Sequence, residues 1–299
     1  MLKAVIDIGT NSVKLCMGEV SDGLILNTLL DVNTITKLGE KMGKDGRMTP
    51  EAISRTADAV SCYVKEAESR GCSSITIVGT MALRSASNAE ELKKCIKSLT
   101  NIDVRTLSGA EEAELSYRAA ASAAEAGEDK EILTFDTGGG STEFVYGKNG
   151  SITEDTSINI GAVRITEKYF SPLPVSEEQL ASALSAIKEE LKAGKILRPC
   201  KNVVAMGGNV TSMAAIALGL EKYDPEKVQG STLSLEEVRS QVKRFASSTV
   251  EEIRGIPGLN PARAEIILAG AAIVLSVMEL AGASHITVCD RGLRHELLR

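Results

Sequence analysis

The chain repeats itself, and the repeat limits the folds open to it. Ile6-Asp7-Ile8-Gly9-Thr10-Asn11-Ser12-Val13-Lys14-Leu15 aligns with Phe135-Asp136-Thr137-Gly138-Gly139-Gly140-Ser141-Thr142-Glu143-Phe144, with Asp, Gly and Ser at matching offsets. Both copies then run through an apolar stretch that contains a glycine (Gly18, Gly147) to a turn, Asp22-Gly23 in the first and Asn149-Gly150 in the second. Asp-Gly between apolar runs signals a hairpin. Each copy reads as strand, Asp-x-Gly-x-x-Ser loop, strand and hairpin, which implies an ancient duplication of a domain. A length of 299 residues suits two domains. We place the first at residues 1–125 and the second at 126–299, with a terminal helix at about 291–299 packing back on the first.

After each hairpin, strands and helices alternate, which is α/β grammar. Thr49 and Pro50 look like the N-cap and first residue of a helix whose apolar positions Ile53, Ala57, Val60 and Val64 follow helical spacing, stopped at Gly71. A strand Ser74 to Gly79, a helix Ala89 to Leu99, a strand Ile102 to Leu107 and a helix Ala110 to about Ala126 follow. In the second half a strand Asn202 to Ala205 meets Gly207-Gly208-Asn209, a helix covers Arg263 to Leu280, and His285 to Cys289 is a strand. The near-apolar run Ile266 to Met278 is bounded by Glu265 and Glu279. It is too short for the roughly 20 residues that span a bilayer, so it reads as a buried core helix.

A net charge of −6 and a pI near 5.3 argue against non-specific binding to DNA or membranes, both of which want a positive field. An anionic substrate must then be held locally. The six cysteines form no CxxC pair and the start MLKAVIDIGT lacks a signal-peptide pattern, which together predict reduced thiols in a cytoplasm. Only two histidines exist, His285 and His295, both near the C-terminus. This argues against a His-based zinc cluster or a Ser-His-Asp triad in the body of the chain. Catalysis has to rest on carboxylates, hydroxyls, backbone and a hard metal.

The loops suit an anion. A glycine-rich turn between two strands lets successive N–H groups converge, and Gly138-Gly139-Gly140-Ser141-Thr142 is such a turn. Thr10-Asn11-Ser12 in the first copy offers fewer glycines but three side chains able to bond phosphate oxygens. Facing each other across a cleft, the pair would grip adjacent phosphates. No GxxxxGK[ST] occurs, and Glu143 spoils a GxGxxG match. Asp7 and Asp136 enter the loops and Glu143 follows the second. Either the aspartates cap turns, or carboxylates beside a phosphate nest imply Mg²⁺ (or Mn²⁺) between them. The helix from Ala110 opens with Glu111 and Glu112, which either answer the helix dipole or orient a hydrolytic water. The Gly207-Gly208-Asn209 loop is a candidate nucleotide or distal site.

Asp136 to Glu143, read with Ile6 to Ser12, Ser108-Gly109-Ala110-Glu111-Glu112-Ala113, Val78-Gly79-Thr80-Met81-Ala82-Leu83-Arg84, Ile160 to Glu167, Gly207-Gly208 and Arg291-Gly292-Leu293-Arg294, resembles the exopolyphosphatase / guanosine pentaphosphate phosphatase family in its short two-domain form. The motifs stand in family order over essentially the whole chain. The resemblance implies two ribonuclease-H-like domains of the actin-like ATPase superfold (acetate and sugar kinase, heat-shock cognate, actin) with an interdomain cleft. It implies metal-dependent hydrolysis of terminal phosphoanhydride bonds, releasing orthophosphate from inorganic polyphosphate, with short chains expected. The alternatives are a guanosine pentaphosphate 5′-phosphohydrolase and a non-catalytic polyphosphate or alarmone sensor. By matching positions, Glu112 would deprotonate water and Arg84 would neutralise developing charge. Asp136 and Glu143, with Asp7, would hold the metal. Gly138, Gly139, Gly140, Ser141 and Thr10, Asn11 and Ser12 would cradle phosphates. The partners it implies are polyphosphate or guanosine penta- and tetraphosphate, and at family level a homodimer. Arg84, Lys148, Arg164, Lys168, Arg263, Arg291 and Arg294 are candidates for a local basic track.

Overall fold

The computed structural model describes residues 1–40, 46–124 and 130–299. The chain divides into two compact units, Met1–Ser116 with Leu293–Arg299, and Tyr117–Gly292. The boundary set from the sequence at 125/126 lies outside the described residues, as does the expected end of the helix near Ala126.

In the first unit, β1 (Leu2–Ile8), β2 (Ser12–Ser21), β3 (Leu24–Ile35), β4 (Ser74–Gly79) and β5 (Val104–Thr106) form one sheet in the order β3-β2-β1-β4-β5. The first three strands are an antiparallel meander and the last two join parallel to β1. The second unit holds β6 (Glu131–Thr137), β7 (Thr142–Lys148), β8 (Ser151–Ile158), β9 (Asn202–Met206), β10 (Thr232–Ser234) and β11 (His285–Cys289), ordered β8-β7-β6-β9-β11-β10. Removing the antiparallel edge strand β10 leaves the order and directions of the first sheet. Both are ribonuclease-H-like sheets, so the α/β class read from the sequence holds.

The duplication extends to single bonds. Gly9 N–H donates to the Ser12 carbonyl at 3.0 Å and Gly138 N–H to the Ser141 carbonyl at 2.9 Å. Asp22-Gly23 and Asn149-Gly150 both have positive φ (50° and 75°, 53° and 77°), the type I′ geometry that matches strand twist. The β2–β3 and β7–β8 pairings each slip register, at Met17/Gly18 and at Tyr146/Gly147.

Strand alternation decides which face each aspartate takes. On β1, Ala4, Ile6 and Ile8 join the core beneath the helices Pro50–Ser69 and Ala89–Thr100, whereas Val5 packs with Leu298 of the C-terminal helix Leu293–Leu298. With period two, Asp7 belongs to the Val5 face. On β6, Leu133 and Phe135 enter the larger core, while Ile132 packs with Ala120 of the helix Gly109–Ala121. Asp136 shares the parity of Ile132. Phe135 and Phe144 are cross-strand partners with ring centroids 6.1 Å apart, a contact worth about 0.5–1.5 kcal/mol that helps pin the β6–β7 register.

Helix signals in the sequence mostly match the structure. Thr49 caps Pro50–Ser69 by accepting from Ala52 N–H, and Ser176 with Gln179 forms a capping box for Glu177–Ala193. Ile267–Ala281 is buried on nearly every side, as its apolar composition predicts. It starts at Ile267 rather than at Arg263, because Asn260 caps a separate 3₁₀ turn, Pro261–Arg263. Asp224 likewise caps a short helix, Pro225–Val228. No helix among the described residues is long and apolar enough to cross a membrane.

Candidate active site

The loop after β1 is anchored through its carbonyls. The Asn11 carbonyl accepts from Thr36 and Lys37 N–H at 3.0 and 2.8 Å, and the Thr10 carbonyl from Gly39 N–H at 2.8 Å. Gly39 stands close against the loop: a Cβ there would lie 2.5 Å from Thr10 Cγ2, so the threonine side chain would have to turn aside. Thr10 and Asn11 are exposed, Ser12 half-buried. The amides of Thr10 and Asn11 take no partner among the described residues.

The loop after β6 repeats this arrangement with different clamps. The Gly138 carbonyl accepts from Ala162 N–H at 2.9 Å, and the Gly139 carbonyl from Val163 and Arg164 N–H at 2.9 and 3.3 Å. These donors are the orphan amides that open the helix Ala162–Tyr169. Gly161 makes the approach possible: a Cβ on it would stand 2.4 Å from the Gly139 carbonyl and Gly140 N. With the carbonyls engaged, the N–H groups of Gly139, Gly140 and Ser141 have no partner among the described residues. None of the three glycines has positive φ. A Cβ at Gly140 would meet nothing in the protein within 4 Å, so glycine there keeps open a space that a ligand can use.

The carboxylates differ between the copies. Asp7 on β1 faces Lys14 on β2, whereas Asp136 on β6 faces Glu143 on β7. Like charges directly opposed across strands are destabilising, and oxygen-rich pairs of this kind suit a hard cation. Glu143 is oriented by two hydroxyls, Ser141 Oγ at 2.5 Å and Ser157 Oγ at 3.0 Å, both donating to Oε1. Asp7 is 5% exposed and its Oδ1 has no hydrogen-bond partner. Burial raises its carboxyl above the ordinary range; Lys14 and Arg294 oppose that, and the charges of Glu112 and Asp31 reinforce it. An orphaned buried carboxylate oxygen also fits a cation.

The two acids that open Gly109–Ala121 have separate jobs. Glu111 accepts from Ser108 N–H at 2.8 Å while its own N–H donates to Ser108 Oγ at 3.1 Å, the reciprocal bonds of a capping box. Those bonds and Arg105 hold its carboxyl down at about 2. Glu112 does no capping. Its Oε2 accepts from Arg84 Nη1 at 2.7 Å, and Arg84 Nη1 also donates to the Leu107 carbonyl at 2.9 Å. Glu112 Oε1 and the other two Arg84 nitrogens have no partner among the described residues, and both side chains are 30% exposed. The first unit thus holds a carboxylate with one oxygen free beside a guanidinium with donors to spare.

Gly207 and Gly208 adjoin the second loop. Gly207 has φ of +92°, and a Cβ on it would lie 2.4 Å from Asp136 Oδ1; one on Gly208 would overlap the Arg263 guanidinium. The glycine pair thus lies against the side chains of Asp136 and Arg263. Asn209 is buried against Gly270 at 2% exposure. Arg263, named above only for the basic track, is half-buried, and Asp136 supports its charge against the burial that opposes it. Two of the basic-track candidates are already engaged: Arg294 is half-buried and donates to both Asp31 oxygens at 2.9 and 3.0 Å, and Lys168 is paired with Glu190.

Comparison with known proteins finds relatives over essentially the whole chain. The pattern of the Ppx/GppA phosphatase family matches residues 5–299. The chain is 29% identical over 306 residues to exopolyphosphatase 2 of Mycobacterium tuberculosis, covering 97% of this chain and 95% of that one. It is 31% identical over 299 residues to a bifunctional 3-dehydroquinate synthase/phosphatase of Fusobacterium nucleatum, covering 97% of this chain and 45% of that protein. It is 26% identical over 299 residues to a guanosine-5′-triphosphate,3′-diphosphate pyrophosphatase of Vibrio atlanticus, covering 99% of this chain and 58% of that protein. The chain therefore spans about half the length of these last two. A crystal structure of the Aquifex aeolicus Ppx/GppA phosphatase, type II variant, superposes with a TM-score of 0.90 at 32% identity, covering 100% of this chain and 98% of that one.

Proposed function

The chain belongs to the Ppx/GppA phosphatase family, and from that premise we propose that it hydrolyses terminal phosphoanhydride bonds and releases orthophosphate from inorganic polyphosphate. The observation that carries this reading is the pair of duplicated loops. In both, the carbonyls accept from neighbouring amides and the loop amides have no partner among the described residues. Such amides suit phosphate oxygens. Near full-length likeness to a protein named an exopolyphosphatase supports polyphosphate as the substrate.

Glu112 Oε1 accepts the proton of the attacking water, and Arg84 holds Glu112 in place while its remaining N–H groups meet phosphoryl charge. The amides of Thr10 and Asn11, with Ser12 Oγ, in the first unit and those of Gly139, Gly140 and Ser141 in the second bind phosphate oxygens. Asp136 and Glu143 fit a hard divalent cation, Mg²⁺ or Mn²⁺, on their opposed placement, and Asp7 fits one on its orphaned oxygen. When bound, the cation neutralises phosphate charge that the carboxylates would otherwise repel.

The test is orthophosphate release from short and long polyphosphate, guanosine pentaphosphate and ATP in parallel, with Mg²⁺ and with EDTA. Metal-dependent release from polyphosphate above the rest is expected. Release mainly from the guanosine compound would move the role to alarmone hydrolysis, and tight binding without release would make the chain a sensor.

A further inference from the structure

Cys16, Asp31 and His295 meet on the first unit, on the side of the sheet covered by the C-terminal helix. Cys16 on β2 and Asp31 on β3 are cross-strand partners, so their side chains share a face. Leu298 packs with Cys16, Val5 and Val20, and this seats Leu293–Leu298, with His295, over that face. The Cys16 Sγ, one Asp31 oxygen and one His295 ring nitrogen all lie within 4.8 Å of one another. His295 Nε2 stands 3.7 Å from Asp31 Oδ2, beyond hydrogen-bond reach. In a tetrahedral zinc site with bonds of about 2.0–2.3 Å, ligand atoms stand roughly 3.4–3.6 Å apart. The trio needs to contract by only about 1 Å at its widest to meet those bond lengths.

The setting has the other features of a built metal site. Cys16 and His295 are buried, while Asp31 retains 26% side-chain exposure and gives the trio a route to solvent. Arg294 donates to both Asp31 oxygens at 2.9 and 3.0 Å, the outer contact that commonly orients a ligating carboxylate. A thiolate, an imidazole and a carboxylate select a borderline-soft transition metal over Mg²⁺. None of the three belongs to the loops or carboxylates assigned to phosphate chemistry. We propose that Cys16, Asp31 and His295 bind a divalent transition metal of the zinc type, which fastens the C-terminal helix to the β2–β3 hairpin. The two histidines appeared too few and too late for such a site, but the C-terminus returns to the first unit and brings one of them to a strand pair hundreds of residues earlier.

The probe is Co²⁺, titrated into the metal-free full chain in millimolar Mg²⁺ so that oxygen-only sites are already filled, with near-ultraviolet absorption following thiolate-to-cobalt charge transfer. One equivalent is expected to produce the band and to raise the melting temperature. The band should survive Cys62→Ser, which removes the exposed cysteine, and vanish in Cys16→Ser. His295→Ala should weaken Co²⁺ by more than the roughly 10- to 100-fold cost of losing an outer-shell partner. A wild-type chain without the band overturns the proposal with no variant needed, and so does a band that persists in Cys16→Ser or is unmoved by His295→Ala. Orthophosphate release is read separately, so neither result bears on the other.

Discussion

Glu143→Lys would copy into the second half the charge pairing that the first half uses at the same register position. There Asp7 faces Lys14; here Asp136 faces Glu143. An opposed pair of opposite sign contributes roughly 0.2–1 kcal/mol and a like pair costs a similar amount, so the exchange is worth about 0.4–2 kcal/mol. Glu143 and Asp136 are exposed, and Arg263 already offsets part of the repulsion, so the lower half of that range applies, about 0.5–1 kcal/mol. Ser141 and Ser157 lose an acceptor in the variant, but water replaces it at this surface. For a unit of this size 1 kcal/mol moves Tm by about 2–4 °C, so melting in EDTA at low salt should rise by about 1–4 °C. Mg²⁺ should then reverse the ranking: wild type gains about 2.7 kcal/mol at a hundredfold excess over Kd and the variant gains nothing. Release of orthophosphate from polyphosphate should fall to background. A variant that melts below wild type in EDTA, or that Mg²⁺ stabilises equally, would refute the reasoning that the opposed carboxylates are kept for a cation.

Glu112→Gln should keep substrate affinity and lose about 10² to 10⁴ in kcat, the range for a general base, as read by steady-state phosphate release; unchanged turnover would remove Glu112 from the mechanism. Glu111→Gln should leave kcat alone and change the acid limb of stability. Its folded pKa lies below the unfolded value, so the contribution is complete above about pH 4.3 and is lost as pH falls towards 2; melts across that window should flatten in the variant. Asp7 has the opposite sign, since burial raises its folded pKa and stability is lost as pH rises through that value. Asp7→Asn should therefore melt higher than wild type at neutral pH in EDTA while losing activity; a lower Tm would count against an unsatisfied buried charge. Gly161→Ala drives a Cβ to 2.4 Å from the Gly139 carbonyl, backbone that cannot swing aside. A loss of about 1–3 kcal/mol in denaturant unfolding, with a raised KM, is expected.

What the sequence determined by itself was set by short-range chemistry. The Asp22-Gly23 and Asn149-Gly150 turns, the Thr49 cap, strand alternation and the apolar run of Ile267–Ala281 depend on residues close along the chain, so pattern alone located them. The duplicated Asp-x-Gly-x-x-Ser loops located the candidate site for the same reason. Ser108-x-x-Glu111 is likewise a local capping-box pattern, which separates the structural acid from Glu112. Tertiary structure alone decided the rest. Gly161 against Gly139, Arg263 over Gly208, Arg84 on Glu112 and His295 beside Cys16 and Asp31 join elements that meet only after crossovers and the return of the C-terminus. Close backbone approach and charge pairing across such distances follow from where packed elements end, and no local spacing encodes that.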